Sequence, residues 1–131
     1  HKDGKIYNMS GVNRSYFSKR VQSFGYAFSG IGAFLKSEPH ARIHALATIL
    51  VIVAGIYCHL PVLQWILLTI VTGLVWITEM LNTVVEKVMD HVAPEYHERV
   101  KWIKDVAAGA VLVAALVALI TGGLVFVPYF L

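Results

Sequence analysis

The stretch Val62–Ile77, VLQWILLTIVTGLVWI, carries no charged side chain, and the residues just beyond it, Glu79-Met-Leu-Asn82-Thr-Val-Val-Glu86-Lys-Val-Met-Asp90, turn abruptly acidic. At about 1.5 Å per helical residue, the apolar run covers most of the roughly 30 Å hydrocarbon core of a bilayer. Pro61 stands just before it, at a favourable first helical position. Read as a transmembrane helix, this stretch decides the fold, and two other runs answer it. One extends from about Arg42 to Cys58 and closes at His59-Leu60-Pro61. The other begins near Pro94, is polar to Asp105, and is apolar from Val106 to Leu131. The fold expected is an all-α membrane protein with spans over about 42–60, 61–91 and 95–130.

Composition agrees. The chain has 131 residues, 57% apolar and 15% charged, with a mean hydropathy of +0.66. A soluble domain would carry roughly a quarter charged residues. The net charge of +3 is modest and no basic face on a soluble fold is visible, so nucleic acid is not an expected partner. Cys58, the one cysteine, can form no intrachain disulfide.

Ahead of the spans, Phe17, Val21, Phe24, Phe28, Ile31 and Leu35 recur at intervals of four and three, a single helical stripe, with Lys19, Arg20, Ser23 and Lys36 off it. Gly25, Gly30 and Gly32 interrupt the segment. Residues 13–37 are therefore expected to lie on the membrane as an amphipathic interfacial helix, leading into a three-helix domain over 38–131. Residues 1–12 read as a flexible tail without a function, and no cleavable signal peptide is expected, because the first apolar run comes late.

Orientation comes from the loops. Lys19, Arg20, Lys36 and Arg42 precede the first span, and Lys87, Arg99, Lys101 and Lys104 link the second to the third. The other link and the C-terminal end carry no Lys or Arg. The N-terminus is thus expected in the cytoplasm and the C-terminus outside, which three spans permit.

The acidic stretch holds the chemistry. At about 100° per residue, Glu79, Asn82, Glu86 and Asp90 fall within roughly 80° of one helix face. Three acids on one face need a compensating cation or shared protons. Glu79 lies about 27 Å along the helix from Pro61, near the edge of the hydrocarbon, where an acid without a partner is costly. Glu86 lies about 10 Å further on, at headgroup level or in water. Lys87 and Asp90 are equally explained by a solvated helix end, and Asp105, four residues after Lys101, by a surface ion pair. Glu38, the ladder and Lys104-Asp105 all fall at one level, and a carboxylate cluster there suits Mg²⁺. His40 and His44, spaced i, i+4, can present two imidazoles to zinc, but no third histidine or cysteine supports this, and they read as interfacial. Ala110, Ala114 and Ala118 put small residues on one face of the third span, which favours bundling or oligomerisation. No P-loop and no kinase catalytic loop is present. From the residues alone, an acidic site at the membrane edge fits catalysis and ion or proton conduction equally. Conduction would want acids along the whole span, and residues 62–77 have none. A non-catalytic assembly subunit leaves Glu79 unexplained.

The pattern Glu79-x-x-Asn82-Thr-x-x-Glu86-x-x-x-Asp90, then Glu95-Tyr96-His97-Glu98 and Lys104-Asp105-x-Ala107-Ala108-Gly109-Ala110-Val111, resembles the bacterial diacylglycerol kinase and undecaprenol kinase family. The Gly25 to Glu38 segment and Arg42-x-His44 fit it too, so the resemblance covers about Lys19 to the C-terminus. It implies a homotrimer of small protomers, each with a surface helix and three spans, in the bacterial inner membrane, with sites shared between protomers and facing the cytoplasm. It implies transfer of the γ-phosphoryl of MgATP to a lipid hydroxyl. Glu79 would then be the base, Glu38 and Glu86 would hold Mg²⁺, and Asn82 would support the site. Lys19, Glu38, Glu86, Asp90, Glu95, Tyr96, His97, Lys104 and Asp105 would meet ATP, with Lys19 standing where some members have Arg. Arg42-x-His44 and Phe126-Val-Pro128 resemble the branch that includes undecaprenol kinases, and Glu95-Tyr96-His97-Glu98 the diacylglycerol branch. Diacylglycerol is the expected lipid and undecaprenol the runner-up.

Overall fold

The computed structural model describes residues 9–131, with side chains from residue 15 onward. Four helices occupy it: α1 (Met9–Ser37), α2 (Pro39–Tyr57), α3 (Val62–Val92) and α4 (Glu98–Phe130). There is no strand among the described residues. α2, α3 and α4 are each long and apolar enough to cross a membrane.

The chain divides into two units, one ending at Pro39 and one running from His40 to Leu131. In the first, α1 begins at Met9, ahead of the start at residue 13 read from the sequence, and most of the tail lies outside the described residues. The helix runs unbroken through Gly25, Gly30 and Gly32, where a Cβ would meet nothing within 4 Å. Each glycine costs about 1 kcal/mol against alanine, too little to stop a helix of this length from closing its backbone hydrogen bonds. Phe17, Val21, Phe24 and Phe28 stand exposed along the expected stripe, but Tyr26, on the opposite side, is as exposed as they are. Arg20 lies 4.9 Å over the Tyr16 ring and donates to its hydroxyl at 2.6 Å.

In the second unit α3 and α4 pack along each other, with Ala114 buried. α2 reaches α3 through larger side chains. A buried apolar cluster forms at the end where α2 turns into α3: Leu60, Leu68 and Val125 are buried there, with Val51, Cys58, Trp65 and Phe126 against them. The turn is compact because α2 closes with the amide of Leu60 donating to the Gly55 carbonyl and that of His59 to Ile56. This is a Schellman-type cap, and His59 takes the left-handed conformation at φ 51° that glycine usually supplies. Gly55 is buried at the same level, and a Cβ on it would fall 2.5 Å from Cη2 of Trp65. The absence of a side chain is what lets the indole lie on the α2 backbone. Beyond this knot the chain buries little: only 11% of each span's most apolar window is covered from within. Ile49, Ile56, Leu63, Ile70, Leu112 and Leu119 face outward, and only lipid tails or other copies can shield them from water.

Candidate functional site

Glu79 sits just past the middle of α3, its side chain 15% exposed, with Ile77 and Leu81 turned outward around it. A carboxylate in such surroundings needs a partner, and α2 supplies one: Nε2 of His44 lies 3.0 Å from Oε1 of Glu79. His44 is itself only 25% exposed. One turn along both helices, Nε1 of Trp76 donates to Oγ1 of Thr48 at 2.9 Å, and Thr48 donates in turn to the His44 carbonyl at 2.7 Å. The Trp76 ring stands 59° to the imidazole, centroids 6.5 Å apart. Two cross-helix hydrogen bonds one turn apart therefore fix α2 against α3 at the level of Glu79.

His44, read from the sequence as an interfacial histidine, also binds a carboxylate across the helix pair. An imidazole bound to a carboxylate on the next helix is a cross-brace. The sequence held a signal for it: an acid in an apolar span demands a polar partner at the same depth, and His44 lies inside the apolar run of α2.

Below this brace, two grooves open between the helices. One of about 330 Å³ runs between α2 and α3, lined by Thr48, Val51, Ile52, Leu68, Thr72 and Trp76 with Trp65 at its far end. The other, of about 290 Å³, is bounded by His44, Thr48, Val75 and Trp76 and by Ala115 and Ala118 of α4. Both are apolar apart from a few hydroxyls, and they share Thr48, Val51, Thr72 and Trp76.

Towards the other end of α3, Asn82 donates from Nδ2 to Oε1 of Glu86 at 3.3 Å, while its own Oδ1 is buried with no hydrogen-bond partner. Glu86 and Asp90 are exposed. Lys104 of α4 reaches across to Asp90, 2.5 Å from Nζ to Oδ1, and Lys101 pairs with Asp105 one turn along α4. The surface pair expected for Asp105 is present, and Lys104 has a partner on a different helix from the one its neighbour suggests. His97 caps α4: its Nδ1 accepts the amide of Arg99 at 3.0 Å, satisfying one of the donors that a helix start leaves open.

These residues converge. Asp90, Glu95, Tyr96, His97, Lys104 and Asp105 all border a single cavity of about 380 Å³ at the α3–α4 turn. Lys19 and Glu38 belong to the other unit and are described by themselves: Lys19 is exposed on α1, and the Glu38 amide closes the helix on Phe34. Among the described residues no three His, Cys, Asp or Glu side chains gather to hold a metal within one chain. The oxygens on offer are the Glu86 carboxylate and the orphaned Oδ1 of Asn82 beside it. Those are hard donors, of the kind suited to Mg²⁺, an ion that takes one or two carboxylates and completes its shell with phosphate and water.

The family model described as prokaryotic diacylglycerol kinase matches residues 25–126. A diacylglycerol kinase of Synechocystis sp. is 41% identical over 107 residues, covering 81% of this chain and 61% of that longer protein. The undecaprenol kinase of Bacillus subtilis is 32% identical over 116 residues, covering 88% of this chain and 94% of its own. The diacylglycerol kinase of Escherichia coli K12 is 33% identical over 109 residues, with 83% and 89% covered.

Proposed function

The chain belongs to the prokaryotic diacylglycerol kinase family, and from that membership we propose that it is an ATP-dependent lipid kinase of the bacterial cytoplasmic membrane. It phosphorylates the hydroxyl of diacylglycerol to give phosphatidic acid, at the cytoplasmic surface. The observation that carries this reading is the position of Glu79: a carboxylate held inside the apolar level of the bundle, with a polar cavity beyond it at the α3–α4 turn. A lipid alcohol is tethered by its tails, so its hydroxyl meets a base only at this depth. ATP arrives from water, where the acids and lysines of the α3–α4 turn stand.

The chemistry needs little beyond positioning and charge neutralisation. Glu79 accepts the proton of the lipid hydroxyl. The freed oxygen attacks the γ-phosphorus, the bond from phosphorus to the β,γ-bridging oxygen breaks, and ADP leaves with that electron pair. Lys104, steered by Asp90, offers a cation to the phosphates from the rim of the cavity, and Asn82 orients Glu86. Glu38 and Glu86 would hold Mg²⁺, which when bound screens the charge of the phosphate chain. Glu95, Tyr96, His97, Asp105 and Lys19 complete the nucleotide's surroundings. We place the working unit as a homotrimer with sites shared between protomers. That accords with the outward apolar surface of each span.

Undecaprenol is the second candidate acceptor. The undecaprenol kinase of Bacillus subtilis matches this chain over 94% of its length, whereas the more identical Synechocystis diacylglycerol kinase is a longer protein. The test is transfer of radiolabelled γ-phosphate in detergent, with diacylglycerol and undecaprenol offered separately and Glu79→Gln as control. Label in one lipid, lost in the variant, identifies class and acceptor together. Label in neither, with cation flux through liposomes that Glu79→Gln abolishes, would put ion conduction in its place.

A further inference from the structure

We infer that His44 is a positioning residue for Glu79: it holds Oε1 of the carboxylate so that Oε2 is the oxygen offered to the lipid hydroxyl. The inference rests on the reading of Glu79 as the base.

A carboxylate on a glutamate has three torsions between its head and the backbone, and in an apolar surrounding nothing polar arrests them unless a partner is built in. Among the described residues the one hydrogen-bonding partner of the Glu79 side chain is His44, at 3.0 Å. With Nε2–H donating, the bond is charge-assisted and directional, which fixes where Oε1 lies. Oε1 is then committed to the imidazole, and Oε2 is left to receive a proton.

The imidazole is in turn restrained. Its own helix turn is tied by Thr48 to the His44 carbonyl, and Thr48 receives the indole N–H of Trp76. Trp76 is three residues before Glu79 on α3, so the residue that steadies the histidine and the residue the histidine steadies share one helix face. The Trp76 ring leans on the imidazole at a 6.5 Å centroid separation. The result is a closed circuit from Glu79 to His44, Thr48 and Trp76 and back to α3, with each link at 2.7–3.0 Å or in ring contact. A packing histidine would not require it. The groove that His44 borders offers a few hydroxyls and otherwise only apolar groups, so the circuit is set in a surrounding that does little to compete with it.

The kinetic consequence is specific. Misplacing a reacting group by about 1 Å can cost on the order of 100-fold in rate while leaving substrate binding intact. His44→Ala should therefore lower kcat by about 100-fold, with KM for MgATP and for the lipid alcohol each within about twofold of the wild type. His44→Gln, whose side-chain amide can donate to the same oxygen, should recover kcat to within about fivefold of the wild type. If His44→Ala leaves kcat unchanged, or if the Ala and Gln variants lose kcat equally, His44 does not position the base. A rise in KM alone would also overturn the inference. Should His44→Ala unfold in detergent, as followed by circular dichroism, the Gln variant decides by itself: retained kcat upholds the role, and loss of kcat with an intact melting profile refutes it. Wild-type turnover with an indifferent His44→Ala overturns this inference and leaves the kinase reading standing, whereas a wild-type chain that phosphorylates no lipid alcohol overturns both.

Discussion

Gly55→Ala tests the packing of α2 on α3 without touching the proposed site. The added methyl would stand 2.5 Å from Cη2, 2.8 Å from Cζ2 and 3.1 Å from Cζ3 of Trp65. Ordinary carbon contacts begin at about 3.5 Å, so the indole edge must withdraw by about 1 Å, and a fused ring cannot do so by bending one torsion. Overpacking of this kind costs about 1–3 kcal/mol. Against it, alanine is favoured over glycine in a helix by about 1 kcal/mol. The net effect with Trp65 in place is a loss of about 0–2 kcal/mol. In a Trp65→Leu background the obstacle is gone, so the same substitution should stabilise by about 1 kcal/mol. The sign therefore changes between backgrounds, and the coupling energy of the double-mutant cycle is about 1–3 kcal/mol. Unfolding in mixed micelles of increasing dodecyl sulfate fraction, followed by helical circular dichroism, measures all four corners. If Gly55→Ala stabilises equally in both backgrounds, the indole does not lie on the α2 backbone.

The proposed roles give three more expected outcomes. Glu79→Gln should reduce turnover by about 1,000-fold or more, the scale of a lost general base at a charged transition state, while nucleotide binding stays near the wild-type value; lost binding would contradict the role as base. Glu86→Gln should raise the Mg²⁺ concentration needed for half-maximal activity, and an unchanged Mg²⁺ dependence would take Glu86 out of the metal site. Trimers assembled from a mixture of Glu79→Gln and Lys104→Ala protomers should recover part of the activity that each lacks alone, since one composite site can be intact; verified mixed trimers without recovery would place each site inside a single chain.

Much of the fold could be read from the sequence because lipid imposes a coarse rule. Residues 62–77 carry no charge over a length near that of the hydrocarbon core, and only a helix hides its backbone there. What the sequence could not supply were contacts between residues far apart. Glu79 advertised the need for a partner, but His44 lies 35 residues away, and its i, i+4 relation to His40 drew attention to a metal pair. Lys104 stood next to Asp105 in the chain, yet it bonds Asp90 across the α3–α4 turn, while Asp105 goes to Lys101. Side chains that are neighbours in a helical sequence diverge by about 100°, so adjacency there is a poor guide to contact. The helix expected over residues 13–37 is continuous through all three of its glycines, which weaken a helix without ending one. His97 shows a residue read for one purpose with a second, structural one, as the cap of α4.

The length of α3 has a consequence for the membrane it inhabits. The helix has 31 residues, about 46 Å at 1.5 Å per residue, against roughly 30 Å of hydrocarbon. Its first acid, Glu79, comes about 26 Å from the start at Val62, so the apolar part is slightly shorter than an average bilayer is thick. Where acyl chains are short, that acid emerges at the interface; where they are long, it is drawn beneath the headgroups at a cost that grows with each ångström. The depth of Glu79, the proposed base, is then expected to follow the lipid composition around the protein. Shifts in acyl length alone would then alter how readily the polar end of α3 meets water.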